Sequence, residues 1–502
     1  MRYDTAKEGK IQLGLEKGWI YRICANLAFI NLNICAKTLF INLTICANLL
    51  FTNLNICAYN ESMAFKRKIY KEFLRWKEDW ADKRALLVQG ARRIGKSTIV
   101  EEFAKHEYDS YILINFQKDL PKVKSLFEDL ADLDSFFRTI SLIYGKKLVP
   151  HKSLIIFDEI QHFPLARQSI KQFVEDGRFH YIETGSLITI RQNVEKILLP
   201  SEEKCIDMFP MDFEEFLWAK GDEVTIDLIR ENFLQKKPLG DAVHRKLLKD
   251  FRLYMAVGGM PQAVNELLES NDYSRVDEVK RDIITLYHND LKKLDATYKL
   301  STSLIFDALP SELSSHSRLF KATALGKNAR VSRAYSSFEA IKDSMIVNIA
   351  NNCSDPNIAF NLSKNIASQK IFMGDTGLLV TQIFMNSKLP IQESIYKQLI
   401  VDKISINLGM VFENAIAQTL RANGYDLYFH NFDHHEIDFM LSFGKKIIPI
   451  EVKSSTYKNH RSLDVFCKKY SKHVFDRYVI CAKDLKREEG VTFIPFYMAM
   501  FL

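Results

Sequence analysis

The stretch Gly90-Ala91-Arg92-Arg93-Ile94-Gly95-Lys96-Ser97 decides the fold of this chain, because it satisfies the pattern G-x-x-x-x-G-K-[ST] at every position. Before it, Ala85-Leu86-Leu87-Val88 is a short apolar run that reads as a buried strand. After it, Thr98-Ile99-Val100-Glu101-Glu102-Phe103-Ala104 carries apolar residues at helical spacing. A strand, a glycine-bounded turn and a helix together make a phosphate-binding loop. Gly90 and Gly95 permit backbone angles and close approaches that a side chain blocks, so consecutive N–H groups point at phosphate oxygens, and the helix adds its positive N-terminal end. The expected ligands are ATP and Mg2+. Gly90, Gly95, Lys96, Ser97 and Thr98 are the expected nucleotide contacts, with Lys96 also acting in catalysis at the β- and γ-phosphates and Ser97 on the metal.

Some sixty residues on, Ser153-Leu154-Ile155-Ile156-Phe157-Asp158-Glu159 is an unbroken apolar strand ending in two carboxylates, as a central parallel strand buried on both faces does. Asp158 is expected at the nucleotide and the Mg2+ ion, and Glu159 is expected to orient and polarise the attacking water. A helix N-terminus with acidic residues in its first turn is the plain alternative. A third strand, Phe179 to Ser186, ends in hydroxyl residues; Thr184 or Ser186 there either senses the γ-phosphate or only caps a helix. These segments predict an α/β chain with a parallel sheet core of the P-loop NTPase kind.

A length of 502 residues suggests about three domains. The formal charge of +7 permits an acidic or nucleic-acid partner without demanding one. Past the N-terminal segment no run of eighteen uncharged apolar residues occurs, so no membrane partner is expected. Cys205, Cys353, Cys467 and Cys481 are scattered and form no C-x-x-C pair, which predicts reduced, mostly buried thiols of a cytoplasmic protein.

Cys24, Cys35, Cys46 and Cys57 instead recur every eleven residues, within near copies of one unit running from Ile23 to Ala58. The repeated asparagines suit neither a helical interior nor hydrocarbon, and the near absence of charge leaves no solvated face. A repeat in the DNA read in frame yields such a segment without selection on its protein. The expectation is that translation begins at Met63 and that residues 1–62 are not part of the native fold.

Several segments follow in a characteristic order: Lys66-Arg67-Lys68-Ile69-Tyr70, the Gly90 loop, Phe157-Asp158-Glu159-Ile160-Gln161 and Thr184-Gly185-Ser186. Met208-Phe209-Pro210-Met211-Asp212-Phe213-Glu214-Glu215-Phe216-Leu217 and Tyr254-Met255-Ala256-Val257-Gly258-Gly259-Met260-Pro261 come next. From Met63 to the C-terminus the chain resembles the prokaryotic AAA-type ATPases that carry a C-terminal domain of unknown function. The resemblance implies an ATPase domain over 63–235, a helical lid and winged-helix-like region over 236–400, and a restriction-endonuclease-like domain over 401–502. Arg92, Arg93 and Arg191 are in question as arginine fingers, with surface or packing roles as the alternative.

The last segment also has a reading of its own. A helix around Val411–Ala417, stopped at Gly424, precedes two strand candidates, Glu436–Leu441 and Lys446–Lys453. An Asp on one strand and Glu-x-Lys thirteen residues later resemble the PD-(D/E)xK nuclease core. Asp438 and Glu451 would share a divalent cation, Lys453 would position water, and Glu413 would support the metal from the helix. The alternative is a hairpin with charged residues on its open face in a non-catalytic domain. His434 and His435, taken as adjacent strand residues, face opposite sides and are no ligand pair.

Between the two ends, Arg330 to Phe338 reads as a helix presenting basic and aromatic side chains to a DNA groove, or as a solvated packing helix. Asp375, in a turn before a helix, reads as a cap. Three functions follow: an ATP-hydrolysing switch whose appended domain binds a protein or nucleic acid; a nucleic-acid-processing enzyme with a metal-dependent C-terminal site; or a scaffold that binds nucleotide without hydrolysis, against which Glu159 argues.

Overall fold

The computed structural model describes residues 64–128, 130–186, 200–298, 301–315, 319–320, 331–386, 389–403, 409–454 and 459–502. The repeated segment, Met63, Arg191 and Arg330 lie outside them, as do the side chains of Val331 to Tyr335.

The first sheet is parallel and contains β1 (Ala85–Gln89), β2 (Ser110–Asn115), β3 (Ser153–Asp158), β4 (His180–Gly185) and β5 (Glu203–Asp207), in the order β2-β3-β4-β1-β5. β1, β3 and β4 are covered on both faces, which is why their sequences read as apolar runs rather than alternations. β5 is a polar edge strand, and its register, Ala85 opposite Glu203, is set by β1 rather than by any hydrophobic pattern of its own. Cys205 on this edge is exposed, unlike the buried Cys353 and Cys481; all four scattered cysteines are free.

Helices dominate the middle of the chain. Asp241–Val257, Pro261–Ser270 and the 26-residue Tyr273–Tyr298 are followed by Thr302–Ser314 and Val331–Asp343. Phe338 of the last helix is buried and packs edge-on to Phe320, so this aromatic belongs to the core and is not presented to a groove.

A second sheet then joins β6 (Val347–Cys353), β7 (Lys364–Met373), β8 (Leu427–Phe432) and β9 (His435–Ile437) in the order β7-β6-β8-β9. The boundary expected at 400/401 therefore does not separate two sheets: Ala350 to Asn352 pair in parallel with Leu427 to Phe429 across it. Asp433 and His434 form the two-residue turn between β8 and β9, both with positive φ, as such hairpins require. His434 is thus a turn residue, and the strand-alternation reason for separating it from His435 does not apply.

The third sheet is mixed and contains β10 (Phe439–Phe443), β11 (Lys446–Lys453), β12 (Tyr478–Cys481), β13 (Lys486–Glu488) and β14 (Val491–Pro495), in the order β10-β11-β12-β14-β13. The helix Gly409–Ala422 is buried along most of its length, and Gly424 follows it in the left-handed conformation that releases the chain. No helix among the described residues is long and apolar enough to cross a membrane.

Candidate functional site

Gly95 takes φ 90° as the residue before the helix Lys96–Glu107, a conformation costly for any side chain. Gly90 serves the other purpose: a Cβ there would stand 2.4 Å from the carbonyl oxygen of Met208 and 2.6 Å from Ile94 Cδ1. Arg93 between them also has positive φ. Lys96 is buried, and its Nζ donates to the carbonyls of Gly90 at 3.0 Å and Ala91 at 2.8 Å. Burial pushes the Lys96 amine down to about 8, against the opposing pull of Glu159 and Asp158. Thr98 is exposed in the first turn of the helix.

Asp158, at the end of β3, gathers polar groups from the ends of two neighbouring strands and from the loop. Ser97 Oγ donates to its Oδ1 at 2.6 Å and Asn115 Nδ2 to its Oδ2 at 2.6 Å, while the Thr184 hydroxyl also donates to Oδ1. The sheet order produces this convergence, because β4 lies between β1 and β3 and puts Thr184 between the loop and Asp158. Thr184 Oγ1 also accepts from the Glu159 N–H at 3.3 Å. Glu159 is half-buried with φ 56°, and its carboxylate accepts from the Gln161 amide. Ser186 is buried at the end of the same strand, with no partner for its hydroxyl among the described residues.

The basic start has a job that its composition concealed. The buried Arg67 guanidinium donates to the carbonyls of Ile94 at 2.9 Å and Phe209 at 2.6 Å and lies 3.1 Å from Glu215. It clasps the phosphate loop to the segment that carries Met208. Asp212 and Glu215 in turn form a reciprocal cap on the helix Phe213–Ala219. Arg92 pairs with Asp290 at 2.9 Å, and its carbonyl accepts from Tyr287 at 2.7 Å, so this arginine joins the loop to the long middle helix.

A polar path leaves this region. The Met211 N–H donates to the Gly259 carbonyl at 2.7 Å, and the Gly259 N–H donates to Asp375 Oδ2 at 2.6 Å. Asp375 Oδ1 caps the helix Thr376–Phe384 by accepting from the Leu378 N–H at 3.0 Å. Tyr254 OH donates to Met211 O at 3.0 Å and accepts from Gln418 Nε2 at 3.0 Å; Gln418 Oε1 receives both donors of Thr376. Gln418 and Glu413 share the helix Gly409–Ala422, so the path ends at the second group of carboxylates.

There, ligand oxygens of Glu413, Glu436 and Asp438 lie within 4.8 Å of one another. Asp438 Oδ2 accepts the Val452 N–H at 2.7 Å. Glu451 is buried beside Lys453, whose Nζ is 2.7 Å from Oε1; its Oε2 has no hydrogen-bond partner among the described residues. Desolvation raises the Glu451 carboxyl above its ordinary range, with Lys453 opposing and Asp438 reinforcing the shift. The residue that sequence reading missed is Lys370 on β7. Fully buried, its ammonium stands 3.1 Å from Glu413 and also binds Glu436.

Residues 82–217, which span the first sheet, match the family model described as an AAA domain. Residues 248–389 and 408–498 match two models described as domains of unknown function, DUF8612 and DUF4143. No curated protein matches the chain. Among solved structures, PCH-2 of C. elegans is 12% identical, with 44% of this chain and 67% of that chain covered and a TM-score of 0.26. The Hef helicase domain of Pyrococcus furiosus is 11% identical, with 83% and 89% covered and a TM-score of 0.16.

Proposed function

We propose that this chain is a Mg2+-dependent ATPase that works as a switch, its nucleotide state being relayed to a partner-binding C-terminal domain. The observation that carries the reading is the Ser97–Asp158 contact of 2.6 Å, with Glu159 following directly on the strand. A hydroxyl and a carboxylate that already meet at this distance are the hard oxygen donors that would hold Mg2+. Bound Mg2+ would neutralise charge on the phosphates. Lys96 would exchange two carbonyl partners for phosphate oxygens, and Glu159, steadied by Gln161, would orient water for attack at the γ-phosphorus.

The relay rests on connectivity. Met208 touches the phosphate loop, Met211 bonds Gly259 and Tyr254, and these reach Asp375 and Gln418. Pull-down with the Glu159→Gln chain in ATP, probed for protein and nucleic acid, tests the switch: a partner retained with ATP and released with ADP supports it. Identical capture in both nucleotides defeats it.

A second reading, metal-dependent nucleic-acid cleavage, is favoured by the unpartnered Glu451 oxygen beside Asp438 and Lys453. The Lys370 ammonium argues the other way, because it already neutralises the acidic cluster. Cleavage of DNA or RNA in Mg2+ that disappears in Asp438→Ala would establish the nuclease; its absence in the unmodified chain would leave the C-terminal domain as a binding module.

A further inference from the structure

The far end of the first sheet carries a second set of ligating side chains. Asp82 lies in the turn entering β1, His151 in the turn entering β3, and His180 is the first residue of β4. Because these strands are parallel, all three residues collect at the strands' N-terminal ends, whereas the phosphate loop, Asp158 and Thr184 stand at the C-terminal ends.

One ligand atom from each of the three lies within 4.8 Å of the others. Asp82 Oδ1 is 3.0 Å from His180 Nε2 and 3.6 Å from His151 Nδ1. A tetrahedral ion with bonds of about 2.0–2.1 Å holds its ligand atoms roughly 3.3 Å apart, between these two values. The buried His180 ring is fixed from behind: its Nδ1 is 2.8 Å from Tyr108 OH, and the ring packs edge-on to Tyr108 and Trp76. A metal-binding imidazole is oriented in this way, with its second nitrogen on an oxygen. His151 holds φ 58°, and its N–H is anchored on the Arg178 carbonyl at 2.7 Å. Nearby cations are engaged elsewhere, Lys152 with Asp109 and Arg178 with Asp134 and Asp176.

We propose that Asp82, His151 and His180 form a zinc-class divalent metal site, separate from the nucleotide site, that ties together the segments entering β1, β3 and β4. Two imidazoles and one carboxylate select zinc over magnesium, and three protein ligands leave a fourth position for water.

The test is Zn2+ equilibrium dialysis of the full chain, stripped with a chelator and kept in excess Mg2+ so that carboxylate-only sites are masked. The unmodified chain is expected to retain one Zn2+ more than His151→Asn, in which asparagine tolerates the left-handed backbone. Asp82→Ala is expected to lose the same ion, and Tyr108→Phe to weaken its binding ~10-fold to ~100-fold. Unchanged ATP binding in His151→Asn verifies that the domain is folded. Equal Zn2+ stoichiometry and affinity in the unmodified chain, His151→Asn and Asp82→Ala would overturn the site.

Discussion

The carboxylates around Asp158 and those around Glu413 are built from similar parts and left in opposite electrostatic states. Asp158 is held by neutral donors, the hydroxyls of Ser97 and Thr184 and the amide of Asn115, while the nearby Lys96 ammonium rests on backbone carbonyls. Glu413 and Glu436 instead hold an ammonium, that of Lys370, inside the protein. Neutral donors are exchanged for a metal at little cost, whereas a buried ion pair is broken only by leaving a charge unpaired. The comparison teaches that carboxylates next to a lysine do not by themselves define a metal site; what matters is which group the lysine already neutralises.

The sharpest break of the comparison is catalytic. Glu159→Gln is expected to lower ATP hydrolysis ~10^2 to 10^4-fold with ATP still bound, whereas Asp438→Ala leaves phosphate release unchanged. Normal turnover in Glu159→Gln would remove Glu159 from its proposed role. Next, Lys370→Met leaves buried carboxylates without their cation and is expected to cost about 3–5 kcal/mol in urea unfolding. Mg2+ or Mn2+ should restore part of that loss, since ligand oxygens of Glu413, Glu436 and Asp438 already lie within 4.8 Å of one another. No recovery with metal would mean that the cluster is structural in either state.

A smaller effect is expected midway between the two centres. Alanine at Gly259 places a Cβ 1.9 Å from the Met211 carbonyl oxygen, and the forced displacement should cost about 1–3 kcal/mol. If the relay runs here, Gly259→Ala also reduces nucleotide-dependent partner capture; full capture would separate the two centres.

A further effect is on the pH profile. Lys96 falls from 10.5 to about 8 on folding, so the unfolded chain binds the extra proton between these values. The contribution of Lys96 to stability is therefore whole above pH 10.5 and is lost as pH falls through 8. Relative to the unmodified chain, Lys96→Met should flatten the rise of stability between pH 8 and 10.5. An identical slope would show that the amine is not desolvated as the fold implies.

Much of the first centre was legible because its residues act through local backbone. Gly95 needs its left-handed conformation one residue before the helix, and Asp158 ends a strand whose burial is written in Leu154 to Phe157. β5 gave no such signal, since Glu203 and Lys204 lie on an edge strand placed by pairing with β1. Arg67 looked like one basic residue among three, and only the return of Phe209 and Glu215 to the loop gives it buried partners. Thr184 stayed ambiguous between cap and site until the order of strands set it against Asp158.

The sequence by itself determined the glycine-bounded loop, the acidic strand end, the helix that carries Glu413 and the strand that carries Glu451 and Lys453, because each follows from the spacing of residues within one or two neighbouring elements. The single strand expected over Glu436–Leu441 is instead broken at Asp438, a bend between β9 and β10, where the chain passes from the second sheet to the third. Tertiary structure alone decided that β8 completes a sheet begun by β6, that Asp82 meets His151 and His180, and that Lys370 lies among carboxylates 43 and 66 residues away. Such encounters depend on how whole elements pack. Local periodicity carries no record of them, and the charge state of a buried site is set by exactly those distant neighbours.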